Sequence, residues 1–185
     1  MTDHVCPVWA GYLAASPLRK LFQDPRRILG SHVQPGMTIL DIGCAMGFFS
    51  LPLAQLVGSG GKVICVDLQE KMIRGLRRRA RKAGLFERIQ TQICSRESLG
   101  LDDVVEEVDF ALAFAVVHET PDAGRLFAEI HRTLKTRASV LVAEPRIHVT
   151  AASFDASLSA AEQSGFDIVA TPAIRCSYTA VLVKK

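Results

Sequence analysis

Short, almost continuously apolar runs alternate with longer helix-like segments along most of this 185-residue chain. Strands as apolar as these are buried on both faces, which is typical of a parallel sheet covered by helices on each side. The alternation therefore predicts an α/β fold with a doubly wound, mostly parallel sheet. The five runs are residues 37–42 (MTILDI), 62–67 (KVICVD), 88–94 (RIQTQIC), 108–115 (VDFALAFA) and 138–144 (ASVLVAE).

Helical periodicity appears between several of these runs, where apolar residues recur at three- and four-residue spacing. The groups are Leu51, Ala54, Leu56 and Val57; Met72, Leu76, Ala80 and Ala83; and Leu126, Phe127, Ile130 and Leu134. Pro121 and Asp122 are expected to begin the last of these helices.

Two further strand-like segments lie near the end of the sequence, at residues 166–171 (FDIVAT) and 177–185 (SYTAVLVKK). The connection between them contains Pro172 and is too short for a helical crossover, although it is long enough for a hairpin. We therefore expect a seven-stranded sheet in which the last strand is antiparallel to the others.

The length of the chain favours a single domain over residues 1–185, because 49% of its residues are hydrophobic and one core can bury them. Within it we expect an α/β core from residue 36 to 185 and a leading helical segment over residues 1–35. That segment carries Trp9 and Tyr12 and is predicted to be a lid over the site. A helix packed on the sheet and a dimer contact are the alternatives.

Charge and cysteine content give no indication of a nucleic-acid, membrane or metal-binding function. The formal net charge of +3 is too small to indicate nucleic acid or a membrane as a necessary partner. The basic residues between Lys71 and Lys82 lack interleaved aromatic residues, which favours a solvated helix face over an RNA site. Five scattered cysteines form no C-x-x-C pair, so we predict free thiols and no metal site.

Neither a membrane-spanning run of about 20 apolar residues nor a basic secretory signal is found. These features predict a cytoplasmic protein. The sequence leaves open whether it is a monomer or a homodimer.

The turn that follows the first strand, within ILDIGCAMGFFSL at residues 39–51, is the expected ligand site, because open α/β sheets bind ligands over the carboxyl ends of their strands. Gly43 and Gly47 let the backbone of this turn approach a ligand closely. A dinucleotide motif, G-x-G-x-x-G, counted from Gly43 fails at Ala45 and Phe48. A nicotinamide-dependent oxidoreductase is therefore the less favoured alternative.

The segment from Asp41 to Gly47, DIGCAMG, resembles the first motif of the class I S-adenosylmethionine-dependent methyltransferases, D/E-x-G-x-G-x-G, with Ala45 at the central glycine. The resemblance covers residues 37 to about 145. It implies a Rossmann-like methyltransferase fold, with S-adenosylmethionine as cofactor. The residues that it places in the cofactor turn are Asp41, Gly43, Cys44, Ala45 and Gly47.

An acid at position 41 suits this cofactor, because S-adenosylmethionine carries an ammonium and a sulfonium that a carboxylate attracts. In the family this acid acts toward the methionine end of the cofactor. The alternative is that Asp41 only caps the turn. The added methyl of Ala45 is expected to cost about 1 to 3 kcal/mol where the backbone cannot adjust, with binding retained.

The resemblance also implies where the adenosine lies. Asp67, at the end of the second strand, would accept both ribose hydroxyls, as in dinucleotide folds, although it could instead cap the next helix. Leu68 and Met72 would flank the adenine, or Met72 could be a core residue. The family often has an acid after the third strand; here Ser95 or backbone amides would replace it. Phe114 would lie over the cofactor.

His118 and Glu119 follow the fourth strand, in the loop that in this family faces the transferred methyl group. Methyl transfer depends mainly on positioning, and a general base helps only if the acceptor must lose a proton. His118 has a suitable ordinary pKa near 6.5, and Glu119 would orient it or bind a cationic acceptor. The alternative is that the pair caps the next helix. Glu144 and His148 are further candidates at the same rim.

These observations favour methyl transfer to a small-molecule acceptor, with a non-catalytic S-adenosylmethionine-binding protein as an alternative. Arsenite methylation is not favoured, because it needs cysteines gathered at the site. Cys65, Cys94 and Cys176 fall inside strand patterns, although Cys6 and Cys44 could approach the cofactor.

Overall fold

A seven-stranded sheet forms the centre of the computed structural model, which describes residues 23–185. The strands are β1 (Thr38–Ile42), β2 (Lys62–Asp67), β3 (Ile89–Ile93), β4 (Val108–Phe114), β5 (Leu134–Pro145), β6 (Phe166–Ala170) and β7 (Ser177–Lys184). They lie side by side in the order β3-β2-β1-β4-β5-β7-β6. The α/β sheet predicted from the apolar runs is confirmed.

The pairing of the strands also agrees with the prediction. β1 pairs in parallel with β2 and with β4, and the parallel pairing extends to β3 on one side and β5 on the other. β7 is antiparallel to both of its neighbours, β5 and β6. The last strand therefore inserts between them in the opposite direction, as the short connection containing Pro172 required.

Helices cover the two faces of the sheet. They are α1 (Pro25–Leu29), α2 (Ser50–Leu56), α3 (Glu70–Lys82), α4 (Ala123–Thr133) and α5 (Ala151–Gln163), with 3₁₀ turns at Phe86–Arg88 and Val117–Glu119. Asp122 caps α4 by accepting a hydrogen bond from the Arg125 amide at 3.0 Å. Leu134 was grouped with this helix by its spacing, but it is the first residue of β5.

Successive residues of the strands point to opposite faces, and each face has its own core. Ile39 packs with Val63 and Leu76 on the face covered by α2 and α3. Leu40 packs on the other face, which Phe127 of α4 and Phe154 of α5 cover. Burial on both faces explains why the central strands are apolar at nearly every position.

Residues that lead into the core pack on the sheet rather than standing away from it. Leu29 and Val33 are buried, and the His32 ring stacks on Phe110 with centroids 5.2 Å apart. The predicted lid residues Trp9 and Tyr12 lie outside the described residues. No helix within residues 23–185 has the length and apolarity to cross a membrane.

Candidate active site

A cavity of about 520 Å³ opens over the carboxyl ends of β1, β2 and β4. The chain leaves β1 toward β2 on one side and later returns to β4 on the other, so this is the point where the strand order reverses. The predicted residues that line the cavity are Asp41, Gly43, Cys44, Ala45, Asp67, Leu68, Ser95, Phe114, His118 and Glu119. The fold thus brings together residues from four separate parts of the sequence.

Gly47 and Met72 do not line this cavity, so their predicted contacts with the cofactor stay predictions, and for Met72 the structure favours the alternative of a core residue. Met72 is only 2% exposed and belongs to the buried side of α3 with Ile73 and Leu76. Gly47 has a φ of 83°, and a Cβ at this position would lie 2.4 Å from Leu76 Cδ1. Gly47 therefore allows the turn to pack closely on α3.

The glycine turn retains its left-handed conformation although alanine stands at its centre. Ala45 has a φ of 46°, beside 68° at Gly43. Its N–H donates to Asp67 Oδ2 at 2.8 Å, and the Gln69 N–H donates to Asp67 Oδ1 at 2.8 Å. The Asp67 carboxylate therefore joins the turn after β1 to the end of β2. Alanine at this position therefore does not abolish the positive φ.

The left-handed Ala45 predicts a stabilising substitution. Ala45→Gly removes the strain of a Cβ at positive φ, and the freedom that glycine gains in the unfolded chain offsets only part of that gain. The free energy of unfolding is therefore expected to rise by about 0.5 to 1 kcal/mol. Urea denaturation measures this change. The control is Ala83→Gly, at a φ of −88°, where glycine is expected to lower stability. A loss of stability in Ala45→Gly would contradict the interpretation.

Asp41 lies beneath the turn and is almost fully buried, with 3% of its surface exposed. It accepts a hydrogen bond from Ser50 Oγ at 2.5 Å. Burial raises the pKa of Asp41 to about 7; the Ser50 bond opposes this rise and the charge of Asp67 adds to it. Among residues 23–185, no backbone amide donates to the Asp41 carboxylate, which argues against a role as a simple turn cap.

Asp41 and Asp67 together form an acidic wall of the cavity. Burial also raises the pKa of Asp67, against the hydrogen bonds from Gln69 and Ala45. Neither carboxylate forms an ion pair with a lysine or arginine in the described part of the chain. Two buried acids without a cation attract a positively charged ligand.

Residues after β3 form the next part of the wall. The Ser95 Oγ accepts hydrogen bonds from the amides of Glu97, at 3.1 Å, and Ser98, at 3.0 Å. The Ser95 hydroxyl can still donate its hydrogen in a hydrogen bond to a ligand. Cys94 precedes it, and burial, with the charge of Asp67, raises the pKa of this thiol to about 11.

His118 forms the opposite wall and pairs with Glu144, not with Glu119. The His118 Nδ1 makes a short hydrogen bond to Glu144 Oε2, and the His148 ring stacks on His118 with centroids 5.7 Å apart. The expectation that Glu119 orients His118 is therefore corrected. The helix-capping alternative for the pair is also wrong, because Asp122 caps α4. Glu119 lines the cavity at the end of its 3₁₀ turn.

The pKa of His118 reflects opposing effects. Burial lowers it, but the hydrogen bond and charge of Glu144, together with the charge of Glu119, outweigh burial and leave the pKa above its ordinary value of 6.5. Glu144 closes an apolar strand, as Asp41 and Asp67 do. That shared position at a strand end was the signal in the sequence for its importance.

A family model described as a methyltransferase domain matches residues 33–179, which is most of the chain. This chain belongs to the class I S-adenosylmethionine-dependent methyltransferase family. The resemblance of the DIGCAMG motif is thereby confirmed, and the family assignment goes against the dinucleotide alternative. S-adenosylmethionine is the cofactor that this family implies.

The names of individual relatives of this chain state different acceptors. It is 31% identical over 117 residues to nocamycin O-methyltransferase of Saccharothrix syringae, covering 63% of this chain and 38% of the relative. It is 31% identical over 110 residues to arsenite methyltransferase of Halobacterium salinarum, covering 60% of this chain and 27% of the relative. The chain thus spans well under half the length of these relatives.

The fold as a whole matches that of a solved S-adenosylmethionine-dependent methyltransferase from Aquifex aeolicus. The TM-score is 0.84 at 23% identity, and the match covers 97% of this chain and 98% of that one. At this level of identity the likeness concerns the fold.

Proposed function

We propose that this methyltransferase transfers the methyl group of S-adenosylmethionine to a small-molecule acceptor. The observation that carries the proposal is the acidic wall, in which Asp41 and Asp67 lie at the ends of neighbouring strands without a cationic partner in the described residues. An ammonium and a sulfonium complement these carboxylates, whereas a pyrophosphate would be repelled. When bound, the cofactor supplies an electrophilic methyl group on a positively charged sulfur.

Different residues of the cavity would contact different parts of the cofactor. Asp67 would accept the ribose hydroxyls, because each carboxylate oxygen has lone-pair capacity beyond its one backbone hydrogen bond. Asp41 would face the cationic methionine end. Leu68 and Phe114 offer apolar surface to the adenosine and the methyl group, and Ser95 offers a hydroxyl to the base.

The rest of the cavity suits an apolar acceptor of modest size. Phe48, Phe49 and Leu126 line it, and His118 and Glu119 supply polar groups. Enclosed, mostly apolar cavities with a few convergent polar groups are typical of small-molecule sites. A small-molecule acceptor fits this lining better than a macromolecule.

Arsenite is a poor candidate for the acceptor. Burial raises the pKa of Cys44 well above its ordinary value, and neighbouring Cys65, Asp41 and Asp67 raise it further. Cys94 lines the cavity but also keeps its proton. Cys94 follows the end of β3, and Cys176 lies exposed in the turn before β7, so neither lies in a strand as predicted. Cys6 lies outside the described residues. Among residues 23–185, thiolates, which are the metal-binding form of cysteine, are thus disfavoured at this site.

The basic helix α3 supports the proposal that nucleic acid is not the acceptor. Arg77 donates to Thr91 Oγ1 at 2.8 Å, Arg79 to the Met46 carbonyl at 2.5 Å, and Arg81 lies 4.2 Å over the Phe86 ring. These three guanidinium groups therefore contact other parts of the same chain. We propose that the rest of this basic helix face is solvated and binds no nucleic acid.

We also propose that the protein acts as a monomer or a homodimer.

Incubation with methyl-labelled S-adenosylmethionine and a collection of small molecules tests the proposal. We expect S-adenosylhomocysteine and a labelled product in equal amounts, with neither above background when the acceptor is omitted. Binding of the cofactor with no labelled product from any compound would instead favour the non-catalytic alternative.

A further inference from the structure

Glu144 is buried beneath the His118 loop, with 1% of its side chain exposed. Its Oε1 accepts hydrogen bonds from the amides of Val116, at 3.0 Å, and Val117, at 2.9 Å. Its Oε2 accepts from the His118 amide, at 3.4 Å, and from the His118 ring. Within residues 23–185, the hydrogen-bond partners of this carboxylate are therefore all on one short segment of the chain.

This arrangement determines the tautomer of the His118 ring. The partners of Glu144 on the backbone are donors, so the carboxylate is held as an acceptor, and His118 Nδ1 must carry the proton that it shares. The neutral ring therefore has its lone pair on Nε2. His118 lines the cavity and Glu144 does not, so Nε2 is the nitrogen left for a ligand.

We propose that His118 Nε2 removes a proton from the acceptor, that Glu144 is the positioning residue for this step, and that the acceptor is a phenol or enol hydroxyl. The inference rests on the proposed function and adds the class of its substrate. In the balanced step, the acceptor proton goes to Nε2, the oxygen forms a bond to the methyl carbon, and the carbon–sulfur electron pair stays on sulfur. Glu144 then stabilises the imidazolium.

A base of this kind suits a weakly acidic hydroxyl. A phenol loses its proton near pH 10, so it is a poor nucleophile at neutral pH until a base removes that proton. A neutral amine already presents a lone pair and needs no base for the attack. The apolar wall formed by Phe48, Phe49 and Phe114 fits a flat aromatic or conjugated body.

The pH dependence follows from the groups around His118. Glu144 of β5, Glu119 of its own turn and the stacked ring of His148 face it. Burial lowers the pKa of His118, but the two glutamates outweigh burial and hold that pKa above 6.5. Since only the neutral ring accepts a proton, the methylation rate is expected to rise with pH through that raised pKa and then to level.

The Glu144→Gln variant separates positioning from folding. The amide oxygen can still accept from Val116 and Val117, but its NH₂ group would face Nδ1 and force the ring proton onto Nε2. We expect kcat to fall roughly 10²- to 10⁴-fold, the range that a general base contributes, with S-adenosylmethionine affinity unchanged within about twofold. Glu107→Gln, in a surface pair with Lys62, is the matched control.

The ¹⁵N resonances of the His118 ring give a readout that is independent of turnover. Above the pKa we expect a protonated Nδ1 in the native protein and a protonated Nε2 in Glu144→Gln, measured with and without S-adenosylhomocysteine. A native ring protonated at Nε2, or a Glu144→Gln enzyme with native kcat, would overturn the assignment.

The acceptor class is tested with phenols and with anilines of the same ring skeletons. Methylation of one or more phenols at oxygen, lost in Glu144→Gln, supports the inference. Methylation of anilines without any phenol, or of no phenol at all while S-adenosylmethionine binds, overturns it. Failure of the native protein to bind S-adenosylmethionine would instead overturn the proposed function itself.

Discussion

The Asp41→Asn variant is expected to be more stable than the native protein above pH 7, by on the order of 4 kcal/mol. The native carboxyl has a pKa of about 7 in the folded protein against 3.8 without burial, so the unfolded state loses its proton first. Stability therefore falls as the pH rises from about 4 to 7 and stays low above it. Asparagine does not ionise and avoids that loss.

Urea denaturation at about pH 4.5 and 8.5 measures the effect as a difference between the two proteins. The gain in free energy of unfolding for Asp41→Asn should be larger at pH 8.5 by about 3 kcal/mol, because other groups titrate alike in both. The Asp103→Asn variant, at an exposed position, is the control for the substitution itself. A gain that is equal at the two pH values would show that Asp41 is ionised at no cost in the folded state.

Gly47→Ala is expected to lower the free energy of unfolding by about 2 to 4 kcal/mol. Part of the loss comes from a Cβ at a φ of 83°, and part from its approach to within 2.4 Å of Leu76 Cδ1. Leu76 is fully buried, so its methyl group can move only by displacing the core under α3. Urea denaturation with an unchanged m-value measures the loss.

Gly36→Ala is the matched control for this prediction. Gly36 has nearly the same φ, 87°, but a Cβ there would meet no atom within 4 Å. Its loss should be about 1 to 2 kcal/mol, from backbone strain alone. Equal losses in the two variants would show that Leu76 yields freely and that Gly47 is required only for its conformation.

The sheet could be predicted from the sequence because its signal is local. Residues 62–67 were predicted as a strand with the observed bounds, since every position except the first is buried. Helix α5, at Ala151–Gln163, was not predicted, because among its thirteen residues only Phe154 and Ala161 are buried and serine and alanine fill most other positions. Thr150 and Ser153 form a capping box that could have indicated its start.

The candidate site was predictable where its residues share one turn or one strand end, and less so where it depends on contacts between elements. Asp41 and Asp67 each follow an apolar run and meet because β1 and β2 are neighbours. The pairing of His118 with Glu144 depends on β4 lying beside β5, and the adjacent Glu119 was the wrong choice. Met72 has the spacing of a core residue, and the adenine contact was inferred from resemblance alone.

Calorimetric titration of the native protein with S-adenosylmethionine, S-adenosylhomocysteine and NADH, beside Asp67→Ala and the exposed control Asp103→Ala, tests the central claim most directly. We expect both adenosyl ligands to bind the native protein and the control, NADH not to bind, and Asp67→Ala to lose about 100-fold or more in affinity, because hydrogen bonds to a charged acceptor contribute about 1.5 to 3 kcal/mol each. Binding of NADH alone, of no ligand, or of S-adenosylmethionine with equal affinity to Asp67→Ala would contradict the account.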